Sequence, residues 1–284
     1  MTDVRVISSG GLKLAGSTFG QHNRNAILLL HGHSNSRDTW EELVAKLGIA
    51  FEVWAIDFRG HGDSEHAASY DLAGYVADAE AALAAIGRPA IVVGHSLGAC
   101  VAGRLAQDRH QLVQSVFLED PPWYLGSRTE WDRTAFATIF PASAAKQAEL
   151  QRRNAPIADY LEFISNAPSP MGGQNSDHFS FRQLYSHASA LQRQDNHCWA
   201  SVTGGTVLAA IDVDRPFARP ATILRSDPNC GAAFLHEHEA RMRHTNPDVT
   251  VLYYEGCGHG PHRTMSYDAR FHHDLLGFVR AYAM

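Results

Sequence analysis

A serine flanked by glycines, Gly94-His95-Ser96-Leu97-Gly98, sits between the apolar run AIVV and the helical pattern LGACVAGRLA. G-x-S-x-G in that setting is the strand–turn–helix context of a nucleophile elbow, which lifts a hydroxyl above the edge of a sheet. A hydroxyl needs a base. The late segment GCGHGPH, residues 256–262, follows a strand-like run and offers His259, with His262 as its competitor three residues on. Flanking glycines favour His259, because they let the loop approach a second strand end. A base of this kind is oriented by a carboxylate. Two carboxylates stand where a strand-like run ends, Glu119 and Asp120 in VFLEDPP. Negative charge growing on a substrate oxygen calls for backbone donors. The segment HGHSNS after AILLL and the residue after the serine are placed to give them, so the N–H groups of His33 and Leu97 are the expected pair.

These residues need a scaffold that brings several strand ends to one edge. AILLL, FEVWAID, AIVV, LVQSVFLE, ATILR and VTVLYY read as strands, the inner ones apolar throughout, as strands buried on both faces are. Helical patterns alternate with them, which indicates a parallel sheet covered on both sides. VRVIS and KLAGSTFG about Gly10-Gly11 read as an N-terminal hairpin. Between Pro121 and about Arg219 the alternation stops. RTEWDRTAFATIF, AAKQAELQRRN and IADYLEFISNA read there as separate short helices. An insertion leaving the carboxyl edge of a parallel sheet covers the place where ligands bind.

Composition bounds the alternatives. The 284 residues are 45% hydrophobic and 19% charged with a net charge of −6. That is an ordinary globular balance, and no basic stripe suits nucleic acid. No apolar run is long enough for a membrane span, and the opening MTDVRVISSG lacks the pattern of a leader. Four scattered cysteines suggest neither a disulfide framework nor zinc, so the expectation is a cytoplasmic protein without a metal site. The pair His31-x-His33 is explained by its place after a strand better than by a metal. A homodimer is left open.

Taken in order, HG-x-S/N, D-x-R-G-x-G-x-S, G-x-S-x-G and a late G-x-G-H resemble the α/β-hydrolase superfamily. The resemblance implies an α/β-hydrolase fold with a mostly parallel eight-stranded sheet and no cofactor. It also implies a core of residues 1–120 and 216–284 and a helical cap over 121–215. Many members carry the acid after the strand matched by ATILR, where this chain has Asp227 and then Asn229 at the usual position. A minority, including zearalenone-type lactonases, carry it after the preceding strand. That arrangement makes Glu119 the first choice, Asp227 the second and Asp120 the third. The implied activity is that of a serine hydrolase, cleaving a carboxylic ester or lactone through an acyl-serine. The substrate would be a small apolar or aromatic molecule, a zearalenone-like macrolactone among those to be considered. Trp123 and Gly32 are expected to face it. Carbon–carbon bond hydrolysis, cofactor-free peroxidase chemistry, amide hydrolysis and non-catalytic ligand binding remain open.

Overall fold

The structure, a computed structural model, describes residues 3–20, 25–108 and 111–283. Eight strands form one sheet: β1 (Asp3–Ser9), β2 (Leu12–Phe19), β3 (Ala26–Leu30), β4 (Glu52–Ile56), β5 (Ala90–His95), β6 (Val113–Glu119), β7 (Ala221–Arg225) and β8 (Thr250–Tyr253). Their order is β1-β2-β4-β3-β5-β6-β7-β8. β1 and β2 are antiparallel, as is β2 with β4, and every later pair is parallel. Every residue of β3, β4 and β5 is buried, which is why these strands read as mostly continuous apolar runs rather than alternating ones, with Glu52 and His95 as polar ends.

Helices fill both faces. On one face lie α1 (Glu41–Leu47) and, at the chain's end, a long helix over Asp268–Tyr282. On the other lie α2 (Leu72–Ile86) and α3 (Leu97–Gln107). The Asp71 side chain accepts from the Gly74 N–H to cap α2, and Gly87 ends it at φ 72°. Alternation along β6 sorts its side chains: Val116 and Leu118 join the α2/α3 core, while Phe117 joins the α1 side with Trp40 and Phe271.

Between β6 and β7 come α4 (Arg128–Trp131), α5 (Phe136–Arg152), α6 (Ile157–Asn166), α7 (Phe181–Arg193), α8 (Cys198–Thr203) and α9 (Thr206–Ala209). The two helices read from the sequence around 136–152 are one. α5 runs through Pro141, which forgoes one backbone donor there. What holds its far half is Gln147, fully buried, whose amide donates to the Leu191 and Gln194 carbonyls at the end of α7. α5, α6, α7 and α8 share an apolar cluster of their own that includes Leu150, Tyr160, Leu184 and Trp199. α10 (His236–Thr245) precedes β8, and α11 is the closing helix Asp268–Tyr282.

Trp123, expected to face substrate, does not. It is 1% exposed, its ring packs 5.3 Å from that of Phe217, and a Cβ on Gly103 would collide with it. The two prolines before it turn the chain back onto α3. Trp123→Ala is therefore expected to cost about 3–5 kcal/mol of stability, roughly a 10 °C drop in Tm, with substrate preference unchanged. Thermal melts and an ester panel on the variant check this; a shifted preference at unaltered Tm would return Trp123 to the pocket.

Candidate active site

Ser96 holds φ 54° and ψ −115°, a conformation few residues with a side chain adopt. The chain forces it there. Ser96 N–H donates to the Glu119 carbonyl (3.0 Å), and its own carbonyl accepts from Cys100 to open α3. A Cβ on Gly94 would strike the Gly98 carbonyl, and one on Gly98 would strike that of Leu30. Both glycines of the motif are thus required by contact. Gly32, expected to face substrate, instead faces the His95 ring and the Ser96 Cβ, where a side chain would meet His95 Nδ1 at 2.7 Å.

His259 Nδ1 lies 2.6 Å from Asp120 Oδ2. This overturns the first choice of acid. Glu119 turns to the opposite side of the sheet, the Phe117 side, where it accepts from both the N–H and Nδ1 of His262 at 2.8–2.9 Å. His262 Nε2 in turn meets Thr39 Oγ1 at 2.9 Å, and its ring packs 4.2 Å from that of Trp40. His262 and Glu119 form a buried clamp between the loop after β8 and the turn that leads into α1. The second choice fails as well. Asp227 accepts from the N–H groups of Asn229 and Gly256, the latter at 2.8 Å and the chief cause of its lowered pKa, so it ties the ends of β7 and β8 together.

Asp120 reaches His259 because its backbone leaves the strand at φ 43°. Its carboxylate is fully buried and accepts from Ser226 N (3.3 Å), Ala233 N (2.8 Å) and Phe234 N (3.2 Å) besides His259. Three amides from the loop after β7 thus stabilise its charge and fix its orientation. The neighbouring His95 holds the other end of the arrangement: its Nε2–H donates to the His259 carbonyl at 2.9 Å. Burial, then the nearby His259 and His262, push the His95 pKa well down, so it stays neutral.

The remaining motif residues are structural. His31 bonds the Gly32 carbonyl through Nδ1 (2.8 Å) and accepts from Phe58 N through Nε2 (3.1 Å), joining the ends of β3 and β4. Both ring nitrogens are used, and burial lowers its pKa to about 4. Asp57 of DFRGHGDS accepts from the N–H groups of Arg37 (2.6 Å) and Asp63 (2.9 Å) and pairs with the Arg37 guanidinium.

Ser96 and His259 line one cavity of about 170 Å³ between the strand ends and the helices that follow β6. Its apolar side is made by Phe136, Phe140, Phe163 and Trp199, with the Phe136 ring 4.8 Å from that of His259. Its polar side holds Ser34, Asn35, His187 and Arg263. A smaller recess of about 20 Å³ adjoins it, bounded by His33, Ser96 and Leu97, the residues expected to supply backbone donors. Sequence reasoning did not single out His187 or Arg263. Nothing in their local pattern marks them, since their meeting depends on how α7 lies over the loop after β8.

A serine on a strained strand-to-helix turn and a histidine–aspartate pair at the carboxyl edge of a mostly parallel sheet define a protein of the α/β-hydrolase class. The sequence profile of the alpha/beta hydrolase family matches residues 27–271, and the chain belongs to that family. Over 144 residues it is 36% identical to a pimeloyl-[acyl-carrier protein] methyl ester esterase of Neisseria meningitidis, covering 47% of this chain and 45% of that one. Over 117 residues it is 33% identical to a serine hydrolase-like protein of Danio rerio, covering 40% and 36%. The chain thus spans less than half the length of these curated relatives. Among solved structures, an E-2-(acetamidomethylene)succinate hydrolase superposes with a TM-score of 0.75 at 19% identity, over 99% of this chain and 100% of that one, a likeness of fold. Among the described residues no helix is long and apolar enough to cross a membrane.

Proposed function

We propose that the protein is a serine hydrolase that cleaves a carboxylic ester or lactone of a small molecule through an acyl-Ser96 intermediate. The observation that carries this is the 2.6 Å contact of Asp120 with His259, behind a cavity that His259 shares with Ser96. Asp120 accepts the Nδ1–H of His259, which leaves Nε2 free to take the Ser96 proton as Oγ attacks the carbonyl. The oxyanion then faces the N–H groups of His33 and Leu97 in the adjoining recess. The proton passes to the leaving alcohol, and water, deprotonated by the same histidine, releases the acid. Residues 121–215 act as the lid, since their helices supply the aromatic wall. The partial match to a methyl ester esterase also favours an ester. The ground for a zearalenone-like macrolactone was Glu119 as the acid, and with Glu119 held by His262 that ground is gone.

The test is a panel of p-nitrophenyl esters followed by a fluorophosphonate. Repeated turnover is expected, with the phosphonate bonded to Ser96 on peptide mapping. A single slow burst would point to a ligand-binding protein. Turnover of a vinylogous diketone or an amide in preference to every ester would replace ester cleavage with that chemistry.

A further inference from the structure

Among the described residues the cavity wall holds one guanidinium, that of Arg263, and no carboxylate. Arg263 follows His259 by four residues, on the same loop. Among the described residues its Nη1 meets only His187 Nδ1, at 3.5 Å, and its buried Nε has no hydrogen-bond partner; its guanidinium carbon stands 4.9 Å from the centre of the Phe179 ring. No carboxylate of the described residues is within ion-pair range of it. Burial pushes its pKa down to about 10, and Glu119, the acid that pulls the other way, is already engaged with His262. At neutral pH the guanidinium keeps its charge. His187 offers no counter-charge: burial, then the Arg263 charge, push its pKa down to about 3, so the ring stays neutral, and protonation would only add a second cation. Facing an N–H donor at Nδ1, His187 carries its proton on Nε2, which lies 3.4 Å from Ser34 Oγ. The chain Arg263–His187–Ser34 thus crosses the seam between α7 and the core, with its donor end unspent. A half-buried cation without a counter-charge beside it is costly, and a carboxylate on a ligand relieves that cost with two parallel bonds.

We propose that Arg263 anchors a free carboxylate on the substrate, so that the ester cleaved at Ser96 belongs to a short molecule with a second, ionised acid group. This rests on the esterase reading above and names its substrate class. The size fits: a cavity of about 170 Å³ admits a compact ligand, and an apolar one of similar volume holds a benzene ring. Phe179 stacks on the guanidinium and limits its swing. The rival account is that Arg263 serves only to offset the buried Glu119 and Asp120. Each of those carboxylates, however, already has its own donors: two from His262 for Glu119, and three amides and His259 for Asp120.

The experiment compares kcat/KM for monomethyl glutarate and methyl valerate, equal in chain length and different in one carboxylate. The intact protein is expected to favour the hemiester by about 100-fold or more. Arg263→Gln should bring the ratio close to one, mainly through KM of the hemiester. Arg263→Lys, which keeps the charge and loses the fork, should give an intermediate ratio. A ratio near one in the intact protein, or an unchanged ratio in a folded Arg263→Gln variant, overturns the proposal. Calorimetry separates it from the esterase reading. Glutarate should bind the Ser96→Ala protein, and binding should vanish on adding Arg263→Gln. Glutarate binding that depends on Arg263, with neither ester cleaved, would sink the esterase reading and keep the anchor. Absence of glutarate binding would sink the anchor.

Discussion

Ser96→Ala is expected to lower kcat by about 10⁴-fold or more and to abolish phosphonate labelling, while leaving a folded protein. The side chain removed is a small hydroxyl at the edge of a cavity, so little packing goes with it. The backbone supplies a second readout. Alanine inherits φ 54° and its strain, whereas glycine adopts that angle freely. Relief of about 1–3 kcal/mol of strain competes with about 0.5–1 kcal/mol of added chain entropy in the unfolded state. Strain relief outweighs the added entropy, so Ser96→Gly should melt above Ser96→Ala by an amount worth about 1 kcal/mol. Denaturant midpoints for the two variants measure it. Equal midpoints would mean the elbow is not strained, and near-normal turnover by clean Ser96→Ala would remove the serine mechanism.

Much of this architecture is written in short stretches. The unbroken apolar runs at 26–30 and 90–93 announce strands covered on both faces, and Gly94 and Gly98 announce a turn where backbone meets backbone. That Ser96 and His259 line one cavity was legible for the same reason: each sits on a local pattern at a strand end. The carboxylate that meets His259 was not. Glu119 and Asp120 are adjacent, and which one serves His259 depends on the face to which each points and on a left-handed φ at Asp120. A signal was present in the strand's alternation, which puts Glu119 with Phe117 and away from the site. A second signal was the count of partners. Two histidines stand three residues apart, and each takes one of the two carboxylates. Trp123 was misplaced because an aromatic residue just past the sheet edge fits lid and core equally well in sequence; contact with Gly103 decides for the core. Arg263 and His187 come from distant segments and meet only through tertiary packing.

Asp120→Asn is expected to lower kcat by about 10³- to 10⁴-fold. The cause lies in which atoms the amide can satisfy. Oδ1 of Asp120 accepts from Ser226 and Phe234, while Oδ2 accepts from Ala233 and His259. Asparagine has one oxygen. Placed toward Ser226 and Phe234, it turns its NH2 to His259 Nδ1, which must then accept. The ring proton moves to Nε2, where it faces Ser96 and cannot take the hydroxyl proton. The Ala233 N–H also loses its acceptor, at about 1–3 kcal/mol of stability. Glu119→Gln should behave oppositely. It weakens the charge-assisted bonds to His262, so Tm should fall by an amount worth roughly 1.5–3 kcal/mol, with kcat within about tenfold of normal. Asp227→Asn removes a turn carboxylate that does not touch His259 and should cost little activity. Measuring kcat on one ester together with Tm for the three variants ranks them. Should Glu119→Gln prove nearly dead while a folded Asp120→Asn works normally, the acid is Glu119 after all and the His262 clamp must rearrange to let it reach His259.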